Sequence, residues 1–95
     1  MLIATVKIKI HLPWVHSLKE KRMVVKSLIA KLGNKFNVSV AEIEEQNIHQ
    51  IAVLGVAGIA GDAAMADSVI DHVLNFTEEN TEGEIISVER EVISI

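Results

Sequence analysis

Residues 2–22 read LIATVKIKIHLPWVHSLKEKR, and their hydrophobic period changes part-way along. Leu2, Ala4, Val6, Ile8, Ile10 and Leu12 alternate with Ile3, Thr5, Lys7, Lys9 and His11. A period of two held this long predicts a half-buried strand. Pro13, with no N–H to donate, ends its ladder. From Ser17 the period is helical, with Leu18, Val25, Leu28, Ile29 and Leu32 on one stripe. Ser17 and Glu20 have the S-x-x-E spacing of a capping box, so a helix is predicted from Ser17 to about Asn34. Gly33-Asn34 is read as its C-terminal stop, and Lys31 and Lys35 suit the negative end of its dipole.

Beyond the helix, Asn37 to Ile43 predicts a second strand and Glu44 to Asn47 a polar turn, so the next strand returns as a hairpin. That strand, about Ile48 to Ile59, is apolar on both faces, which marks a central strand or an association surface. Asp62 is placed to N-cap a second helix, with Ala66, Val69, Ile70, Val73, Leu74 and Thr77 as its buried stripe and Asp67, Asp71 and Glu78 on its outer face. Ile85 to Ile95 reads as a last strand. Two helices with one apolar stripe each must cover one face of a four-stranded sheet, and right-handed crossovers then give an α+β, ferredoxin-like βαββαβ sandwich. The predicted sheet is antiparallel in the order 4-1-3-2, with its central pair, the first and third strands, read as parallel. Residues 1–95 form a single domain.

Composition narrows the class. Hydrophobic residues make up 49% of the chain and aromatics 3%, so the core must be aliphatic. There is no cysteine, which excludes disulfides and thiolate metal ligands. The longest apolar run, residues 51–60, is about half the roughly 20 residues of a membrane span, and the N-terminus lacks the apolar core of a signal peptide. A soluble, cytoplasmic protein without membrane contact is expected. Net charge is −4, yet residues 1–47 hold eight of the nine Lys+Arg and four of the thirteen Asp+Glu. That asymmetry predicts a basic face and an acidic face.

Few motifs carry chemistry. Gly55, Gly58 and Gly61 lack the spacing of a phosphate loop, and Asp62 puts a carboxylate where a phosphate would meet the helix; close packing of strand on helix accounts for them better. His11, His16, His49 and His72 lack metal-ligand spacing, so no metal or other cofactor is expected, and His16 reads as a loop hydrogen-bonding residue. The loop Leu12 to His16 has neither arginine nor glycine to gather a phosphate, and no G-x-S-x-G surrounds Ser17. No catalytic residue is expected, and the chain reads as non-enzymatic.

Binding features stand out more. Lys19, Arg22 and Lys26 stack at i, i+3, i+7 as a basic ridge beside the apolar stripe. Lys7, Lys9 and Lys35 add charge nearby. Trp14, in the loop entering the helix, is either a plug over the core or an aromatic contact for a partner or a base. With His16 these residues are the candidate contacts for phosphate, RNA or a partner protein. The third strand offers His49, Ile51 and Val53 rather than aromatics, so the stacking platform of an RNA-recognition motif is not supported. Ile51, Val53, Ala57 and Ile59, with Ile3, Ile85, Ile93 and Ile95, are expected to form an apolar patch on the helix-free face, where a homodimer would associate.

At His16-Ser17-Leu18-Lys19-Glu20-Lys21-Arg22 the chain resembles the YlxP-like family of small bacterial proteins of unknown function. The likeness continues through residues 24–28, 36–42, 54–57 and 88–91. It implies a ferredoxin-like fold and a genomic setting among translation and ribosome-assembly genes, hence a ribosome-associated role with RNA or a ribosomal protein as partner. No catalytic residues carry over, because the family has none established. The apolar Ile51-x-Val53 departs from the family picture. A homo-oligomeric regulatory or scaffolding module, joined through the open sheet face, is the alternative expectation.

Overall fold

The computed structural model describes all residues, Met1–Ile95. Its elements are β1 (Leu2–His11), α1 (Leu18–Lys35), β2 (Ser39–Glu44), β3 (Ile51–Ala60), α2 (Ala63–Asn80) and β4 (Glu84–Ser94). The strands form one sheet in the order β2-β3-β1-β4, the predicted order read from the other edge. Every neighbouring pair is antiparallel. The expectation of a parallel central pair is thereby corrected. The α1 crossover returns β2 in the direction of β1, and the hairpin then reverses β3, so β3 must oppose β1.

Both helices lie on one face. Ala4, Val6, Ile8 and Ile10 of β1 and Ala52, Leu54, Val56 and Ala60 of β3 share a single cluster with Val25, Leu28 and Leu32 of α1 and Ala66, Ile70 and Val73 of α2. Each buried Val, Leu or Ile contributes about 1.5–3 kcal/mol, the main stabilising term in a core with so few aromatics. Phe36, just after α1, meets Phe76 of α2 edge to face, with ring centroids 5.5 Å apart, a geometry that aromatic quadrupoles favour.

Helix ends follow their side chains. Ser17 Oγ accepts the Glu20 N–H at 3.1 Å, and Asp62 Oδ1 accepts the Met65 N–H at 2.8 Å. Gly33 and Asn34 do not stop α1. The helix runs through both to Lys35, no glycine takes a left-handed conformation, and the extended Phe36 closes it with its N–H on Leu32 O at 2.9 Å.

Two β-bulges reassign faces. An extra residue in β2 between Glu42 and Glu44 leaves Glu42 opposite Leu54 on the helix side and Glu44 opposite Val53 on the open side. A second, at Ile86, pairs Ser87 with Lys9 but Ile85 with Ile10, because a bulge shifts alternation by one. Ile85 therefore packs against the core instead of joining the open face. The glycines also work differently from the expectation. A Cβ on Gly55 would stand 3.1 Å from the Ile43 side chain and one on Gly58 3.0 Å from Val38. They make room for side chains on β2 and just before it, not for a helix.

Candidate functional site

The approach to α1 is held on several sides. Leu12 N–H donates to Gln50 O at 2.8 Å and Val15 N–H to Leu12 O at 3.1 Å. Gln50 Nε2 donates to Pro13 O and Val15 O, each at 3.3 Å. Val15 is fully buried and Trp14 half-buried against the core, so the plug role holds for one side of the indole.

Once the helix begins, geometry sorts its cations. At ~100° per residue, Lys21, Val25, Leu28 and Leu32 share the inward stripe, and all four are buried. Lys19, Arg22 and Lys26 fall within about 60° of one another on a different flank. All three are exposed, and none takes part in an ion pair, whereas Lys7, Lys21 and Arg90 all do. Lys35 projects nearly half a turn away from this ridge. His16 is exposed just before the cap.

Lys7 and Lys9 stand on the sheet face that the helices leave open, on the other side of the molecule from α1. Lys7 Nζ bridges Glu44 Oε2 at 2.9 Å and Glu89 Oε2 at 3.2 Å. Those hydrogen bonds, to Glu44 first, hold its ammonium above a lysine's ordinary 10.5. The β2 bulge causes this pairing, since it turns Glu44 toward Lys7. The candidate set thus divides into a free ridge on α1, an aromatic and a histidine at its start, Lys35 at its far end and turned away, and two lysines across the sheet.

Lys21 was absent from that set and is the most constrained cation in the chain. It is 1% exposed. Its Nζ donates to Glu45 O at 2.7 Å and Ile48 O at 2.8 Å and meets Glu42 Oε2 at 2.8 Å. The two carbonyls take hydrogen bonds from the ammonium, and the carboxylate, which is buried without a hydrogen bond of its own, is held by charge. Glu45, at φ 58°, and Ile48 close the β2–β3 turn through Ile48 N–H on Glu45 O at 3.0 Å, so Lys21 ties that turn to the first turns of α1. Its place one turn before Val25 on the inward stripe was the available signal.

The open face is part apolar and part charged. Ile59, Ile3 and Ile93 stand in register across β3, β1 and β4, with Ile59 71% exposed. Beside them is a shallow bowl of about 580 Å³ whose lining includes Ala41, Gly55 and Ala57. Val53 does not join an exposed patch. It is 3% exposed, in a cleft it shares with Lys7, Lys9, Glu44, Glu45, Ser87 and Glu89. Ile51 is half-buried. On the helix side, Arg90 meets Asp71 at 2.8 Å and Asp67 at 3.8 Å, which engages part of the acidic face of α2.

A second groove, of about 340 Å³, lies between α1 and the end of α2 and is lined by Trp14, Met23, Val24, Ser27, Leu28, Lys31, Asn80, Thr81 and Glu82. No helix is long and apolar enough to cross a membrane.

The chain matches a family model described as "Protein of unknown function (DUF503)" over residues 3–90. It is 37% identical over 62 residues to the uncharacterized protein YlxP of Bacillus subtilis (strain 168), covering 65% of this chain and 67% of that protein. The de novo designed protein LFR1 1, with ferredoxin fold, superposes with a TM-score of 0.56 at 16% identity, over 100% of this chain and 88% of the design. The designed protein Foldit4 gives 0.52 at 12% identity, over 99% and 97%. At such identities the designed proteins speak to the fold alone.

Proposed function

The chain belongs to the DUF503 family, whose function is unknown, and on that footing we propose that it is a non-enzymatic accessory of translation or ribosome assembly that binds structured RNA through the basic flank of α1. The observation that carries this reading is that Lys19, Arg22 and Lys26 stand together on one exposed flank outside any ion pair. Lys7, Lys21 and Arg90, by contrast, are matched by the chain's own carboxylates, and the other unpaired lysines, Lys9, Lys31 and Lys35, lie away from this flank. The ridge is about 10 Å long at 1.5 Å rise per residue. Met23, the one exposed large apolar side chain on α1, borders the ridge about 40° from Lys19. The flank thus presents three cations with a single apolar neighbour at its edge and no apolar centre. Protein interfaces bury an apolar centre, whereas a phosphate backbone is met by cations alone. RNA is therefore favoured over a ribosomal protein. A net charge of −4 repels polyanions elsewhere on the surface and confines contact to the ridge.

Capture of partners from a bacterial lysate at low salt, with and without ribonuclease, tests the reading. RNA of the small ribosomal subunit is expected in the untreated capture, and ribonuclease is expected to release what is bound. Undiminished capture of a protein after ribonuclease treatment would overturn it.

The row of Ile59, Ile3 and Ile93 supports a second reading, a homodimer formed sheet to sheet. Sedimentation velocity is expected to show a dimer that Ile59→Glu converts to monomer. The melting temperature should hold, because Ile59 is 71% exposed in the single chain. A wild-type protein that stays monomeric at high concentration removes this reading.

A further inference from the structure

We infer that the groove between α1 and the end of α2 holds an unpaired nucleobase with an exocyclic amine, from an RNA strand whose phosphates lie along α1. This rests on the RNA reading above and names the kind of RNA: a loop or bulge in place of uninterrupted duplex. The groove measures about 340 Å³, and its walls are an indole and the aliphatic parts of Met23, Val24 and Leu28. A purine has two fused rings like the indole of Trp14 and stacks on it without regard to sequence.

The polar groups sit apart and differ in sign. Lys31 offers a cation on the α1 side. On the other side the acceptors gather. Asn80 spends its Nδ2 on Phe76 O at 2.9 Å, which leaves its Oδ1 to accept. Glu82 is exposed and unpaired, and α2 ends with no basic residue in its last turn, so its terminal carbonyls keep their negative character. Acceptors at one end of a groove that is apolar beside the indole and polar elsewhere favour a ring with an exocyclic amine, as in adenine and cytosine, over uracil, which offers only its single imino N–H. The ridge lies across the crest of α1 from this groove. Since a helix is about 10–12 Å in diameter, a few nucleotides span it, with phosphates on Lys19, Arg22 and Lys26 and a base turned down beside Trp14.

Trp14 is the chain's single tryptophan, so its fluorescence reports on this groove directly. The full chain is titrated with an RNA hairpin bearing an adenosine loop, with the same stem bearing a uridine loop, and with a fully paired duplex. Anisotropy of a label on the RNA reports binding separately. Quenching that saturates together with anisotropy is expected for the adenosine loop, with little or none for the duplex and less for the uridine loop. Trp14→Leu should weaken the loop by about 5- to 150-fold, the range of one base–aromatic stack, and leave the duplex unchanged. Binding of the adenosine hairpin without any change at Trp14, or equal quenching by all three RNAs, overturns the inference while the RNA reading stands. No anisotropy change with any RNA overturns both.

Discussion

Lys21→Met is expected to destabilise the fold by about 3–5 kcal/mol, the range for removing one partner of a buried ion pair. Methionine keeps the length of the side chain but leaves two carbonyls without a donor and one carboxylate without its counter-charge. The carbonyls of Glu45 and Ile48 lose hydrogen bonds of 2.7 and 2.8 Å. Glu42 Oε2 is buried, and the ammonium is its sole partner, so its charge would be stranded on the helix side of the sheet. In a domain of this size each kcal/mol lowers the melting temperature by about 4–8 °C. Chemical denaturation of the wild type, of Lys21→Met and of Lys21→Met with Glu42→Leu checks the cause. The double variant should recover much of the loss, because an apolar pair of similar volume replaces a buried ion pair at little cost. A single variant as stable as the wild type would mean that Lys21 does not hold the turn.

This lysine also marks where the sequence is hard to read. Periods of two and 3.6 identify β1 and both helices, Ser17 and Asp62 identify the two N-caps, and the order of elements gives the sheet. Those features depend on residues near one another in the chain. In the heptapeptide at residues 16–22, three adjacent-looking cations have different fates: Lys19 and Arg22 face water and Lys21 faces the core. Charge alone does not separate them, although position on the stripe does. The bulges at β2 and at Ile86 were not legible, since an extra residue in a strand has no compositional mark. They account for the differences on the open face: Glu44 crosses to it and pairs with Lys7, and Ile85 leaves it for the core. Whether Lys7 is free depends on Glu44 and Glu89, which reach it from strands distant in sequence.

The free ridge leads to the other large effect. Reversing Lys19, Arg22 and Lys26 to Glu is expected to abolish RNA binding with almost no change in thermal melting. The three side chains are exposed and unpaired, and surface changes of this kind stay within about 0.5 kcal/mol each. Glutamate at residue 19 also favours the positive end of the helix dipole. Loss of binding with the fold intact assigns the contact to these cations and not to Lys7 or Lys9, which lie across the sheet.

The salt dependence of binding to a structured RNA tests that assignment most directly. Each phosphate contact contributes a slope of roughly −0.7 to −0.9 in log Kobs against log salt, so three contacts predict about −2 to −3 for the wild type. That corresponds to a loss of about 20- to 40-fold in affinity between 50 and 200 mM salt. This slope is expected for the wild type, and its disappearance in the triple variant. A wild-type affinity indifferent to salt, or a slope that the triple variant keeps, would contradict that assignment.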